Sequence, residues 1–256
     1  MKNRKLLFGI VGGLAVLIAA AGFSVWYFIL RDDAPAAVSL DSAIGSLGTP
    51  TAAANASGTA APTSAASSPT ASTGGSASTG LAGTWVPDTT QNTFLGYRVV
   101  EQLANIGTNT AVGRTKVVTG SVVLTETQAT SATITADLTK LASDNNLRDG
   151  QLRNQAIETN KFPNATFVLS GPVALPEGLA KGEATSVTLN GKLTLHGVTK
   201  DISVPAQAQL KDGLLVVVGS IDLKFSDYSI NSPRGASVLS IDDHGIMELQ
   251  LILKKS

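Results

Sequence analysis

From about residue 85 onward, apolar and polar positions alternate with a period of two, which puts successive side chains on opposite faces of a strand. Val187, Leu189, Gly191, Leu193 and Leu195 share one face, with Thr188, Asn190, Lys192 and Thr194 on the other. Ile202, Val204, Ala206, Ala208 and Leu210 oppose Ser203, Pro205, Gln207 and Gln209; Met247, Leu249, Leu251 and Leu253 oppose Glu248 and Gln250. Further strands are predicted at about Phe94–Glu101, Val117–Glu126, Ala132–Leu138, Thr166–Val173 and Leu214–Phe225, with turn signals at Lys211-Asp212-Gly213 and Asp243-His244-Gly245. One stretch breaks the rhythm. From Asn146 to Lys161, the residues Leu147, Leu152, Ala156 and Ile157 are spaced nearer to a helical turn, and Phe162-Pro163 ends the pattern.

The fold class expected is therefore all-β, with roughly eight antiparallel strands and one short helical insertion. Such a set forms either a sandwich or a closed barrel, and a barrel leaves no open edge. An eight-stranded barrel either fills with side chains or holds one small ligand. Gly191, Ala206 and Ala208 put small residues on the inward face, which favours a cavity.

The N-terminal part reads differently. Leu6 to Leu30 contains no ionisable charge, and as a helix its 25 residues would exceed a bilayer's hydrocarbon thickness. Lys2, Arg4 and Lys5 precede it and Asp32 and Asp33 follow, which places the N-terminus in the cytoplasm and the rest outside. Residues 1–31 are thus expected to be a cytoplasmic stub and single-pass membrane anchor. Ala19, Ala20 and Ala21 leave the alternative of a cleaved signal peptide and a secreted domain. Gly9 and Gly13 form a GxxxG through which two such helices could pack as a homodimer. Residues 32–83, dominated by Ala, Ser, Thr, Gly and Pro, lack a periodic apolar face and are expected to be a flexible, disordered linker to a domain at 84–256.

Composition excludes several kinds of chemistry. With no cysteine there are no disulfides or thiolate metal sites. Nineteen basic residues balance nineteen acidic ones, and the domain has no basic cluster, so nucleic acid is not an expected partner. The two histidines, His196 and His244, stand at turn positions, and no HExxH, GxSxG or phosphate-binding loop occurs. No enzyme activity, cofactor or metal is expected.

Three segments carry a resemblance. Arg148-Asp149-Gly150-Gln151-Leu152-Arg153 with Lys161-Phe162-Pro163-Asn164-Ala165-Thr166-Phe167, then Gly191 to Lys200 (GKLTLHGVTK), then Asp222 to Ile230 (DLKFSDYSI) resemble, in order and spacing, motifs of the YceI-like family. The resemblance covers about Trp85 to Leu253. It implies an exported, lipocalin-like barrel binding a polyisoprenoid or similar long-chain lipid, such as a quinone, in its interior. Combined with strand parity, it makes Tyr97, Val99, Leu124, Phe167, Leu169, Leu189 and Leu193 the expected tunnel lining, with Val204, Ala206, Ala208, Leu223, Phe225, Leu249 and Leu251. Arg148 and Asp149 would form an ion pair at the barrel mouth, steadying the helix or meeting a head group. The chain departs from the family in its first strand, where Phe94 to Glu101 (FLGYRVVE) lacks the histidine many members carry, and at Lys224, where arginine is common. A stalked adhesion or scaffold domain with a filled barrel is the competing reading.

Overall fold

The computed structural model describes residues 34–48, 80–104, 107–231 and 238–256. The apolar run at 6–30, with its anchor and GxxxG expectations, lies outside the described residues, as does most of the stretch expected to be a linker. Among the described residues no helix is long and apolar enough to cross a membrane.

Among the described residues, thirteen strands form one antiparallel sheet. In chain order they are β1 (Gly83–Pro87), β2 (Phe94–Leu103), β3 (Gly107–Thr115), β4 (Val118–Leu124), β5 (Gln128–Asp137), β6 (Ala142–Ser143) and β7 (Asn164–Leu169). They continue with β8 (Val173–Ala174), β9 (Thr185–Leu195), β10 (Val198–Lys211), β11 (Leu214–Lys224), β12 (Val238–Ile241) and β13 (His244–Lys255). Eight of them close a ring in the order β1-β4-β5-β7-β9-β10-β11-β13, shut by Trp85 opposite Lys255 and Pro87 opposite Leu253. The expected barrel is thus present with a different membership: β2 lies off the ring, and β1, which the alternation did not single out, completes it.

Strand β13 forks the wall. Its C-terminal end pairs with β1, while Ile246 to Gln250 pair with Arg98 to Phe94 of β2. Strands β3 and β6 then extend the sheet beyond β2, so the barrel is wider at that end. Two-residue turns join the long strands. His196-Gly197 links β9 to β10 and Asp212-Gly213 links β10 to β11, all four residues having positive φ, the geometry that matches strand twist in a tight hairpin.

Among the described residues there are three short α-helices, one of them at the expected insertion. α1 is Leu40–Gly45, α2 is Asn146–Gln151 and α3 is Glu177–Ala180. The Asn145 side chain caps α2 by accepting from the amides of Leu147 and Arg148, and a π-helical turn, Leu152–Ala156, continues it. Helix α1 corrects the linker expectation for residues 34–48. Its Leu40 and Ala43 are buried on the outer barrel wall against Val216, Val218 and Ile252. Upstream of it the Pro35 carbonyl accepts from Arg98 and the Ala36 carbonyl from Arg114. Ile252 and Glu248 of β13, on the outward face by parity, are consequently fully buried.

The main core is the barrel interior. Leu124, Ile134, Val204, Leu215, Leu249, Leu251 and Leu253 meet there, with Trp85 and Leu81 at the narrow end and Leu179 of α3 covering the same side.

Candidate functional site

The interior is not filled. Near the narrow end lies a cavity of about 110 Å3, and toward the wide end a second of about 140 Å3. Each is roughly ten times the 10–15 Å3 that one water molecule needs. Leu95, Ala165 and Met247 line both, so the two chambers lie end to end on either side of a waist formed by these side chains. Their walls are almost wholly aliphatic and aromatic, the kind of surface that stays dry.

Most residues expected to line a tunnel face one chamber or the other. Tyr97, Val99, Leu223 and Phe225 line the wide chamber. Leu124, Phe167, Leu169, Leu189 and Leu193 line the narrow one, as do Val204, Ala208, Leu249 and Leu251. Ala206 is the exception. It points inward but packs beside Gly219 and lines neither chamber, because the wall is closed by backbone there. Gly191 contributes no free volume either: a Cβ there would meet the Phe167 ring at 2.3 Å, so the ring already occupies that space.

Polar groups gather at the wide end. Glu101 follows Tyr97 and Val99 in inward parity on β2, is 5% exposed, and lines the wide chamber with Arg148 and Gln151 of α2. Arg148 Nη2 donates to Glu101 Oε1 at 2.7 Å, and Nη1 donates to Asp144. Burial alone would lower the guanidinium's pKa, but the bonds to Glu101 and Asp144 outweigh it and raise it. This corrects the expected pair: Arg148 does not partner Asp149, whose carboxylate accepts from the Ser143 amide and hydroxyl and ties α2 to β6. Adjacent residues of a helix point in different directions, which sends Arg148 inward and Asp149 toward the sheet.

Beside this pair the Tyr97 hydroxyl is buried next to the Ser143 side chain, without a well-aligned hydrogen bond. Burial pushes its pKa well above the ordinary phenol value, with the Arg148 charge opposing and Asp149 and Glu101 adding to the rise. A buried unpaired hydroxyl costs free energy unless something supplies a partner.

The alternation did not single out Glu101, Leu95, Ala111, Leu138, Leu141 or Leu175, all of them lining residues. Glu101 had a signal, since it shares the face of Tyr97 and Val99. Leu138 ends the predicted strand on the face of Ile134 and Ala136, whereas Leu141 and Leu175 lie outside regular strands and gave none.

The histidines serve the frame. His196 is buried, with Nδ1 3.0 Å from the Tyr228 carbonyl oxygen and Nε2 3.3 Å from Glu158 Oε2, and the Phe162 ring meets it edge-on. It joins the end of the α2 segment to the turn after β11. His244 is exposed beside Asp222. Among the described residues no group of three or more His, Asp or Glu could hold a metal.

The YceI-like domain profile matches residues 85–252. Among solved structures, the chain is similar to a polyisoprenoid binding domain from Saccharophagus degradans implicated in plant cell wall breakdown. That match has 22% identity and a TM-score of 0.53, covering 67% of this chain and 98% of that one. It is similar also to BcnA of Burkholderia cenocepacia, at 20% identity and a TM-score of 0.52, covering 65% of this chain and 98% of that one. A search of curated proteins finds no match. The fold agrees with these neighbours over nearly their whole length, and the profile spans the barrel from its closing strand β1 into β13: the chain belongs to the YceI-like family.

Proposed function

We propose that the domain is an extracytoplasmic binding module that holds a long-chain isoprenoid, its tail along the two chambers and its head beside Tyr97, and that residues 6–30 anchor it in the membrane. The observation that carries this reading is the pair of apolar chambers inside the barrel, set end to end with Leu95, Ala165 and Met247 in both walls. Each methylene moved from water into such a space contributes roughly 0.8 kcal/mol before ordering costs. The description of the Saccharophagus degradans neighbour as polyisoprenoid-binding supports the same ligand class.

Charge selects among head groups. Arg148 is already met by Glu101 and Asp144, which leaves little cationic attraction for a diphosphate. A neutral donor, the Tyr97 hydroxyl, lies beside that pair. An uncharged acceptor, such as a quinone carbonyl, suits it. The filled barrel required by a scaffold reading is at odds with the two chambers.

Mass spectrometry of organic extracts from the purified protein tests the proposal, with a prenyl lipid as the expected result. Ala165→Phe fills the waist shared by both chambers and should abolish retention of long-tailed lipids while the far-ultraviolet circular dichroism stays that of the parent. Extracts free of prenyl lipid, together with no uptake of added quinones or polyprenols, would reject it.

A further inference from the structure

We propose that the wide end of the barrel docks on the outer surface of a lipid bilayer, with Leu147, Leu239 and Val100 as the contacting side chains and the strap at residues 34–48 fixing that orientation. The inference rests on the anchoring and lipid-binding reading above.

The first observation is the path of the strap. Its Pro35 and Ala36 carbonyls are held by Arg98 and Arg114, whereas α1, further along the chain, sits on Val216 and Ile252 toward the narrow end. Followed upstream, the strap therefore runs toward the wide end. Only Arg31, Asp32 and Asp33 separate Leu30, the last residue of the apolar run, from Ala34. Four residue steps span at most about 14 Å. From Arg98, which holds the strap, to Leu103 at the tip of β2 is five residues, or about 17 Å of strand, and about 13 Å along the axis at a typical barrel tilt. A leash of at most about 14 Å cannot hold the strap farther from the bilayer than about the rim's own height, so a chain anchored at Leu30 keeps its wide end close to the bilayer surface. An unrestrained linker of about 50 residues would instead have a reach on the order of 40 Å in any direction.

The second observation is what the rim exposes. Leu147 is 80% exposed, Leu239 67% and Val100 45%. All three adjoin residues of the wide chamber's wall: Val100 precedes Glu101 and faces the outer side of β2, Leu147 precedes Arg148, the partner of Glu101, and Leu239 lies two residues before Ile241, which pairs with Glu101 across β12 and β2. Ile241, Arg148 and Glu101 line the wide chamber, so the exposed side chains lie on the rim outside it. Large side chains so exposed around a cavity mark a contact surface. The nearby charges do not favour an anionic surface. Arg148 is paired with Glu101 and Asp144, Asp149 with Ser143, and Arg153 adds no excess of positive charge. The partner that fits is neutral or zwitterionic lipid, entered by apolar side chains, with the ligand passing between bilayer and chamber without crossing water.

Because the chain has no cysteine, Leu147→Cys, Leu239→Cys and Val123→Cys each give one labelling site. Val123 is exposed on β4 toward the narrow end. Full chains labelled with an environment-sensitive fluorophore are reconstituted in phosphatidylcholine vesicles carrying a spin-labelled lipid quencher. Quenching at 147 and 239 with none at 123 is expected. Inserting about 20 Gly/Ser residues after Asp33 lengthens the leash without touching the barrel and should diminish quenching at both rim sites. Ala43→Glu should do the same by releasing α1. Rim labels no better quenched than Val123, in a chain that floats with the vesicles, would overturn the proposal. A chain that fails to float overturns the anchoring and this orientation together, whereas extraction of prenyl lipid from the same preparation reports on the tunnel independently.

Discussion

Tyr97 owes its position to a glycine. A Cβ on Gly113 would lie 2.3 Å from its ring, so only glycine on β3 leaves room for that ring in the wall of the wide chamber. Burial raises the pKa of Tyr97 and, with Asp227 nearby, that of Tyr228. Since the folded state favours the neutral phenol, this contribution to stability is complete below the unfolded value of about 10 and is lost as pH rises through the folded value. Absorbance of tyrosinate should therefore appear together with loss of circular dichroism above pH ~10, and Tyr97→Phe should flatten that alkaline loss. Ionisation of Tyr97 near the ordinary value in a still-folded protein would contradict this. Parity in the sequence placed Tyr97 and Val99 inward. It could not show that Gly113 and Gly191 are filled by neighbouring rings, because those rings come from other strands.

Helix α2 is bound to the barrel by charge as much as by apolar contact. Arg148→Ala leaves the Glu101 carboxylate buried without its cation, a change that typically costs about 3–5 kcal/mol. Urea unfolding should show that loss, and the double variant Arg148→Met/Glu101→Leu should recover most of it; equal losses in both would show that the ion pair is not the cause. The long hairpins were legible because period-two alternation and glycine-bearing turns act locally. The short strands β6, β8 and β12 were not, since two to four residues carry no period and are strands only because a neighbour pairs with them. Residues 34–48 were misread for a related reason. Their composition is that of a linker, and Leu40 and Ala43 gain a buried environment only from Val216, Val218 and Ile252, on strands remote in sequence.

At the level of the molecule, closure depends on a short strand at the start of the domain. Trp85 of β1 is 1% exposed, its Nε1 donates to the Leu81 carbonyl at 2.8 Å, and its backbone joins β4 to β13. Trp85→Ala should cost roughly 3–5 kcal/mol, as removal of a buried aromatic does, and should lower the urea midpoint accordingly. A smaller loss than for an exposed control such as Val168→Ala would mean that the narrow end contributes little to cohesion. The alternation located seven of the eight ring strands without deciding between sandwich and barrel, and it missed this strand, whose five residues include a terminal glycine and proline. Strand β13 brings the rest together: it pairs with β11, β2 and β1, and its Ile252 receives α1. During synthesis these partners are made first and remain with unsatisfied edges until residues 244–255 emerge, and contacts spanning such separations form slowly. A nascent chain stalled before residue 244 would thus be an open, adhesive half-shell, and its safe passage would fall to holding factors.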